Sequence, residues 1–145
     1  MYNTKNIRGY LVDPMRFGRY NQNDLFGILK KDLPTVLKQN GVPARTYETE
    51  IKSGGLFGSR APMLVVCCTS TSDYFDIGFI VNENVVSFAL LGESVENTKR
   101  NARDDLNSQG KWIQAKFYRP DELKLQQEAS WQRDVMDAFE ELIQG

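Results

Sequence analysis

Three apolar segments follow one another in residues 61–91, whose sequence is APMLVVCCTSTSDYFDIGFIVNENVVSFALL. Residues 63–68 are almost entirely apolar, and residues 74–81 alternate between apolar and polar side chains. Residues 85–91 follow after a short break, Asn82-Glu83-Asn84. A short break rich in Asn between two β-prone runs is typical of a hairpin. This stretch therefore predicts three successive antiparallel strands.

The regions that flank this block extend the sheet. Residues 44–52 alternate between two sets of side chains, one of them largely polar, which predicts a strand near a sheet edge. Weaker strand patterns occur at residues 7–12 and 111–118. We therefore predict an α+β domain with an antiparallel sheet of about four to five strands, built on a meander around residues 44–91, and helices packed on one of its faces.

Three segments have helical spacing of apolar residues. The first begins near Asn23, and Pro34 lies inside it and predicts a kink or a break. Ser94 is a suitable N-cap for a second helix, whose narrow buried stripe begins with Val95. Pro120 suits the first position of a long C-terminal helix.

Size and composition indicate one globular domain that spans residues 1–145. The chain has 41% hydrophobic and 26% charged residues, which are values of a soluble protein. Its first residues lack the apolar core of a secretory signal, and its longest apolar run is far short of the roughly 20 residues of a membrane span. Cys67 and Cys68 are adjacent on a strand and point to opposite faces, so a disulfide between them is not expected. We expect a cytoplasmic protein that does not associate with membranes.

The chain contains no histidine. This removes the commonest general base, the usual activating partner of a Ser or Cys nucleophile, and the commonest metal ligand. Two adjacent cysteines also cannot supply the ligand set of a structural zinc site. We therefore predict no catalytic residues, no metal site and no cofactor, and an enzyme is the less favoured interpretation.

The glycine-rich segment between two predicted strands, SGGLFGSR at residues 53–60, is a candidate ligand site. Its backbone N–H groups could form a nest for a phosphate or nucleotide, with an arginine as the clamp. The residues of this candidate anion site are Gly54, Gly55, Gly58, Ser59 and Arg60. A plain connection between strands accounts for the same glycines. Leu56 and Phe57 at its tip are unusual in a solvated loop and could instead contact a partner.

The N-terminal loop mixes arginine with aromatic residues, chiefly Arg16, Phe17 and Arg19. Single-stranded nucleic acids and protein partners both use this combination. Nucleic acid is the less expected ligand, because the net charge of the chain is −1. Aromatic side chains that merely cover the sheet edge are the alternative.

Several acidic residues flank the predicted hairpins. They are Asp73, Asp76, Glu83 and Glu93. Two carboxylates can perform acid–base chemistry only where burial or a like charge separates their pKa values. We expect these groups, Asp76 included, to lie on a solvated strand face.

The leading interpretation is a non-enzymatic intracellular interaction domain, of an adaptor or chaperone-like kind, that binds another protein or its own copy. The sequence carries no nucleophile constellation and more apolar helix surface than one small sheet covers. Leu56, Phe57 and Trp131 are the predicted contact residues. A site for a small anion at residues 53–60 and nucleic-acid binding by the N-terminal loop are the alternatives.

Overall fold

The computed structural model describes residues 1–52 and 59–144. Within these residues it contains a seven-stranded mixed sheet and four α-helices. The strands are β1 (Tyr2–Asn3), β2 (Ile7–Tyr10), β3 (Met15–Arg16), β4 (Ala44–Lys52), β5 (Arg60–Cys68), β6 (Asp76–Asn82) and β7 (Val85–Leu91). The helices are α1 (Gln22–Gln39), α2 (Val95–Ser108), the single turn α3 (Trp112–Ala115) and α4 (Glu122–Gln144).

The predicted meander is confirmed, because β4, β5, β6 and β7 pair in chain order and each pair is antiparallel. The prediction of an antiparallel sheet of four to five strands is only partly correct. The described sheet has seven strands, and β1 pairs with β4 in parallel. The strand predicted at residues 111–118 is wrong, since this region holds α3 and turns.

The short connection between β1 and β2 forces the sheet to curl. The strand order is β1-β4-β5-β6-β7-β2, with β3 also paired to β7, so β1 and β2 lie at opposite ends of the order. Only the 3₁₀ turn Thr4–Asn6 separates them. In a flat sheet the outer strands would be about 24 Å apart, at about 4.8 Å per strand, whereas four residues reach at most about 14 Å. The sheet is accordingly a half-barrel.

Helices α1 and α4 pack on one face of the sheet and form the larger core cluster with it. Leu64 and Val66 of β5 point toward these helices. The ring of Phe139 in α4 lies 5.4 Å from that of Phe79 and 5.2 Å from that of Phe88, measured between centroids. These buried rings contribute much of the apolar area that holds α4 on the sheet.

The opposite face, here called the inner face, carries a second cluster made by strand residues. Its buried members are Ile51, Met63, Val65, Cys67, Ala89 and Leu91. Within the described ranges no helical side chain joins this cluster, yet Met63, Val65 and Leu91 are fully buried. Because the strands curl toward one another, they cover this face themselves. The hydroxyl groups of Tyr2 and Tyr47 form a hydrogen bond across β1 and β4.

The two cysteines lie on opposite faces of β5, as expected. Cys67 belongs to the inner face, and Cys68 packs against the cluster under the helices. Both are free thiols.

Helix α1 begins slightly earlier than predicted and continues through its proline. The side chain of Asn21 caps it by accepting from the backbone N–H of Asp24 over 2.8 Å. The break expected at Pro34 does not occur. Pro34 removes the donor for the carbonyl of Lys30, and Lys30 is exposed, so water can satisfy that carbonyl.

Gly78 on β6 is expected to tolerate no side chain. A Cβ atom there would lie 2.6 Å from Sδ of Met63 and 2.9 Å from Cδ1 of Leu91, both in fully buried residues. Gly78→Ala should therefore reduce the free energy of unfolding by about 1–3 kcal/mol through overpacking. Urea denaturation of the purified variant measures this loss.

Gly27 in α1 provides the matched control, because a Cβ atom there meets nothing within 4 Å. Gly27→Ala should stabilise the protein by about 0.5–1 kcal/mol through its effect on helix propensity. The loss caused by Gly78→Ala should shrink in a Met63→Val background, which removes the clashing sulfur. If Gly78→Ala is as stable as the wild type, the close packing of the inner face is contradicted.

Candidate functional site

Exposed hydrophobic side chains are concentrated along the chain from α3 to the first turn of α4. They are Trp112, Ile113, Phe117, Tyr118 and Leu123, with exposed fractions of 59%, 62%, 84%, 46% and 63%. The other large exposed hydrophobic residues of the described chain, Met1, Tyr10, Val12 and Val95, are scattered. Scattered exposure is normal, whereas a grouped set marks a candidate contact surface. Residues 112–123 are called the aromatic segment below.

The aromatic segment is tied to α2 near both of its ends. At its start, the backbone N–H of Lys111 donates to the carbonyl of Leu106 over 2.8 Å. Toward its end, the backbone N–H of Asp121 donates to Oε1 of Glu96 over 2.7 Å. Between these points Ala115 is buried and anchors α3. The exposed rings are therefore carried on a backbone that is hydrogen-bonded to α2 near both ends.

Gly110 allows the chain to turn from α2 into the aromatic segment. Its φ angle of 76° lies in the left-handed region, which favours glycine. Turn hydrogen bonds then continue from α3, including that from the N–H of Tyr118 to the carbonyl of Ala115 over 3.0 Å. This local geometry forms the turn between α2 and α3.

Cationic side chains lie within and beside the aromatic segment. A cavity of about 290 Å³ is lined by Arg103, Asn107, Trp112, Ala115, Lys116 and Arg119. The ammonium group of Lys116 lies 5.6 Å from the centre of the Trp112 ring, a cation–π distance. Arg103 is already paired with Asp104 at 3.3 Å and with Glu122 at 4.0 Å. Lys116 and Arg119 form no ion pair with the described residues and remain available.

Glu128 of α4 is a buried carboxylate, 2% exposed, that joins three parts of the fold. Its Oε2 accepts from the backbone N–H of Phe75 over 3.0 Å. Its Oε1 accepts from Oγ of Ser94 over 2.5 Å and from Nδ2 of Asn97 over 3.1 Å. These donors compensate for the loss of water around a buried charge. Glu128 thus connects the start of β6 and the start of α2 to α4.

Glu96 and Glu128 also line a polar cavity of about 360 Å³. The other lining residues are Ser70, Thr71, Asp73, Tyr74, Lys124 and Gln127. The N–H group of Asp121 and the ammonium group of Lys99 stabilise the charged form of Glu96, so the pKa of this carboxyl lies below its ordinary value. Both carboxylates are engaged in internal hydrogen bonds, which makes them supports of the fold rather than free acid–base groups.

Of the carboxylates singled out in the sequence, Asp73 lines this cavity, whereas Asp76 lies elsewhere, on the inner face. Asp76 is half-buried rather than solvated, and burial raises the pKa of its carboxyl. Burial and the nearby charge of Asp76 raise the pKa of the Cys67 thiol to about 11. A thiol with such a pKa stays protonated at neutral pH and is a poor nucleophile.

The predicted contact residues occupy different environments. Trp131 is 5% exposed, and its Nε1 donates to the carbonyl of Pro43 over 3.1 Å, so it belongs to the core. Phe17 packs edge-on against Phe139, with 5.8 Å between ring centroids. Arg16 and Arg19 are exposed and line a cavity of about 430 Å³ with the end of α4.

Most of the candidate anion site lies outside the described residues, namely Gly54, Gly55 and Gly58, as do the predicted contact residues Leu56 and Phe57. Ser59 and Arg60 are described and exposed. The guanidinium group of Arg60 lies 3.8 Å from the carboxylate of Glu50, so a bound anion would compete with that pair.

Neither a metal site nor a membrane-spanning helix is found in the part of the chain that the structure describes. No three or more Cys, Asp or Glu side chains are grouped closely enough there to hold a metal ion. No helix there combines the length and the apolar character that crossing a membrane requires.

The aromatic segment was missed at the sequence level because its alternation of side chains matched a strand. The usable signal was composition: Trp112, Phe117 and Tyr118 lie among Lys and Arg residues, in the stretch that follows Gly110. That mixture is typical of interfaces. Nothing in the sequence indicated that Glu128 is buried, since glutamate is seldom buried.

No protein-family model matches this chain, and comparisons with curated proteins and with solved structures likewise yield no match. The functional argument therefore rests on the geometry described above.

Glu128→Gln should destabilise the protein by about 1–3 kcal/mol. The amide nitrogen of Gln cannot accept a hydrogen bond, so at least one buried donor around residue 128 loses its partner. Urea denaturation at pH 7 measures the loss. Glu140→Gln, on an exposed position of the same helix, is the control and should change stability little. Equal effects of the two substitutions would contradict the structural role of Glu128.

Glu96→Gln should change how stability depends on pH. Because the pKa of Glu96 is lowered on folding from its ordinary value of 4.5, its contribution is present above pH 4.5 and is lost as the pH falls through the folded-state pKa. The melting temperature of Glu96→Gln should therefore lie below that of the wild type at pH 7, and the difference should shrink at acid pH. Glu93→Gln, at an exposed neighbouring position, is the control and should change the melting temperature little at pH 7.

Proposed function

We propose that this protein is a non-enzymatic interaction domain, of an adaptor or chaperone-like kind, that binds another polypeptide through the aromatic segment. The observation that carries the proposal is the grouping of five exposed hydrophobic side chains on an anchored backbone. Interface cores are enriched in Trp, Tyr, Phe and Arg, the residue types found here.

The energetics of this surface suit binding. Covering one large hydrophobic side chain contributes about 1.5–3 kcal/mol, and Phe117 is 84% exposed in the free protein. Several such side chains together approach the roughly 8 kcal/mol of a micromolar complex, before the entropic cost of association is subtracted. Because hydrogen bonds already fix both ends of the segment, little further ordering is required.

The aromatic segment carries two cations, Lys116 and Arg119, and two carboxylates, Asp121 and Glu122. Asp121 accepts from the N–H of Lys124 and Glu122 pairs with Arg103, whereas the two cations have no ion-pair partner among the described residues, which favours a partner that differs from this chain. In a symmetric dimer the same surface would face its own copy, and Lys116 and Arg119 would oppose like charges. A polypeptide that presents acidic residues beside apolar ones would satisfy both the rings and the cations. We therefore assign the segment to an acidic, partly apolar peptide or protein surface.

Other features support an interaction domain over an enzyme. The chain has no histidine, and Glu96 and Glu128 are committed to internal hydrogen bonds. The cytoplasm is the proposed location.

Selection from a random peptide display library tests the proposal, because it requires only the purified protein and no candidate partner. Wild-type protein should enrich peptides that combine acidic with aromatic or aliphatic residues. The enriched peptides should lose at least tenfold in affinity for Phe117→Ser and Trp112→Ser, because each substitution removes an exposed ring. Melting temperatures should stay close to that of the wild type, because both side chains are largely exposed.

Val12→Ser is the matched control, since Val12 is also exposed but lies outside the aromatic segment. It should leave peptide affinity unchanged. Failure to enrich any peptide sensitive to Phe117→Ser would overturn the proposal. Self-association that depends on Phe117, or Phe117-dependent binding to vesicles with anionic lipids, would instead assign the surface to a second copy or to a membrane.

A further inference from the structure

A separate cavity, of about 290 Å³, lies between β2, β7, α2 and α4. Its polar lining consists of Arg8, Tyr10, Asn97, Arg100, Asn101 and Gln132. Within the described chain none of its lining residues is acidic, although the sequence contains 19 Asp and Glu residues. The described lining residues thus carry two positive charges and no negative charge. This cavity is called the arginine pocket.

Arg100 is held in position by a chain of hydrogen bonds that begins at buried Glu128. Nδ2 of Asn97 donates to Oε1 of Glu128 over 3.1 Å, and Oδ1 of Asn97 accepts from Nη2 of Arg100 over 2.5 Å. A carboxylate can only accept, so the amide nitrogen of Asn97 must face Glu128 and its oxygen must face Arg100. The buried charge thereby fixes the direction of a guanidinium group that lines the pocket.

Arg8 approaches the pocket from β2 and is anchored by a different contact. Its Nε donates to the carbonyl of Gly92 over 3.3 Å. Neither Arg8 nor Arg100 forms an ion pair with any residue in the described ranges. A guanidinium group has five N–H donors, so each arginine keeps several donors for a ligand. Arginine pairs with the oxygens of phosphate in bidentate fashion.

The remainder of the lining suits the uncharged part of a small molecule. Phe75 and Leu90 are partly buried and supply apolar contact. The carboxamides of Asn101 and Gln132 and the hydroxyl of Tyr10 can donate to and accept from ligand hydroxyl groups. The volume lies just below the lower bound of about 300 Å³ for small-molecule sites, which suits a small ligand. We propose that the arginine pocket binds a small phosphate monoester with a hydroxyl-bearing body, and this site is independent of the aromatic segment and of residues 53–60.

Amide-resolved NMR titration at low ionic strength tests the site with four probes: inorganic phosphate, ribose 5-phosphate, adenosine 5′-monophosphate and uncharged ribose. The two organic phosphates should produce saturable shifts in the side-chain amide signals of Asn97, Asn101 and Gln132. Ribose should produce none, and inorganic phosphate should bind more weakly than the esters. The ester that binds more tightly then indicates whether the uncharged part of the ligand is a sugar or a nucleoside.

Arg100→Gln and Arg8→Gln should each weaken ester binding at least tenfold, because each removes a charged bidentate donor. Arg133→Gln is the control, since Arg133 is exposed on α4 but does not line the pocket. It removes the same net charge and should leave the affinity unchanged. The proposal is overturned if no phosphate gives saturable shifts, or if Arg133→Gln weakens binding as much as Arg100→Gln.

Discussion

The step from Asn3 to Ile7 is the constraint on which the rest of this fold depends. It joins β1, which pairs with β4, to β2, which pairs with β7. In the strand order, β1 and β2 lie at opposite ends. The sheet cannot flatten without breaking one of these pairings, since the connection is too short to span it. Curling in turn buries an inner face that the described helices do not cover. One sheet therefore supports two apolar layers, of which α1 and α4 cover only one.

The curl also explains which side chains occupy the inner face. A row of paired residues crosses the sheet from Tyr47 to Val65, Gly78 and Ala89. The side chains become smaller along this row from Tyr47 to Val65 to Gly78, the position where Met63 and Leu91 already fill the space. The glycine at position 78 is therefore explained by the close approach of these two side chains rather than by a turn.

Local patterns in the sequence were sufficient to predict the meander, because the side chains of hairpin strands alternate and each strand pairs with its neighbour in the chain. They were insufficient for β1, whose two residues carry no periodicity and whose pairing with β4 spans about fifty residues. The alternation at residues 111–118 was misleading, since a strand there would need a sheet edge, and α3 forms instead. The buried carboxylates were also beyond local reasoning. The donors that satisfy Glu128 come from Phe75, Ser94 and Asn97, far away in sequence.

Each of the two proposed binding surfaces is positioned by hydrogen bonds to a buried carboxylate, and both sets of bonds involve helix α2. Val95, expected to be buried, is 41% exposed, whereas Glu96 is the buried residue of this helix. Apolar contacts are non-directional and allow a helix to slide, but hydrogen bonds to a carboxylate fix both distance and direction. Glu96 thereby sets where the aromatic segment ends, and Glu128 sets the direction of Arg100 through Asn97. Positioning binding groups by buried charges costs desolvation, yet it defines their geometry more closely than an apolar stripe could.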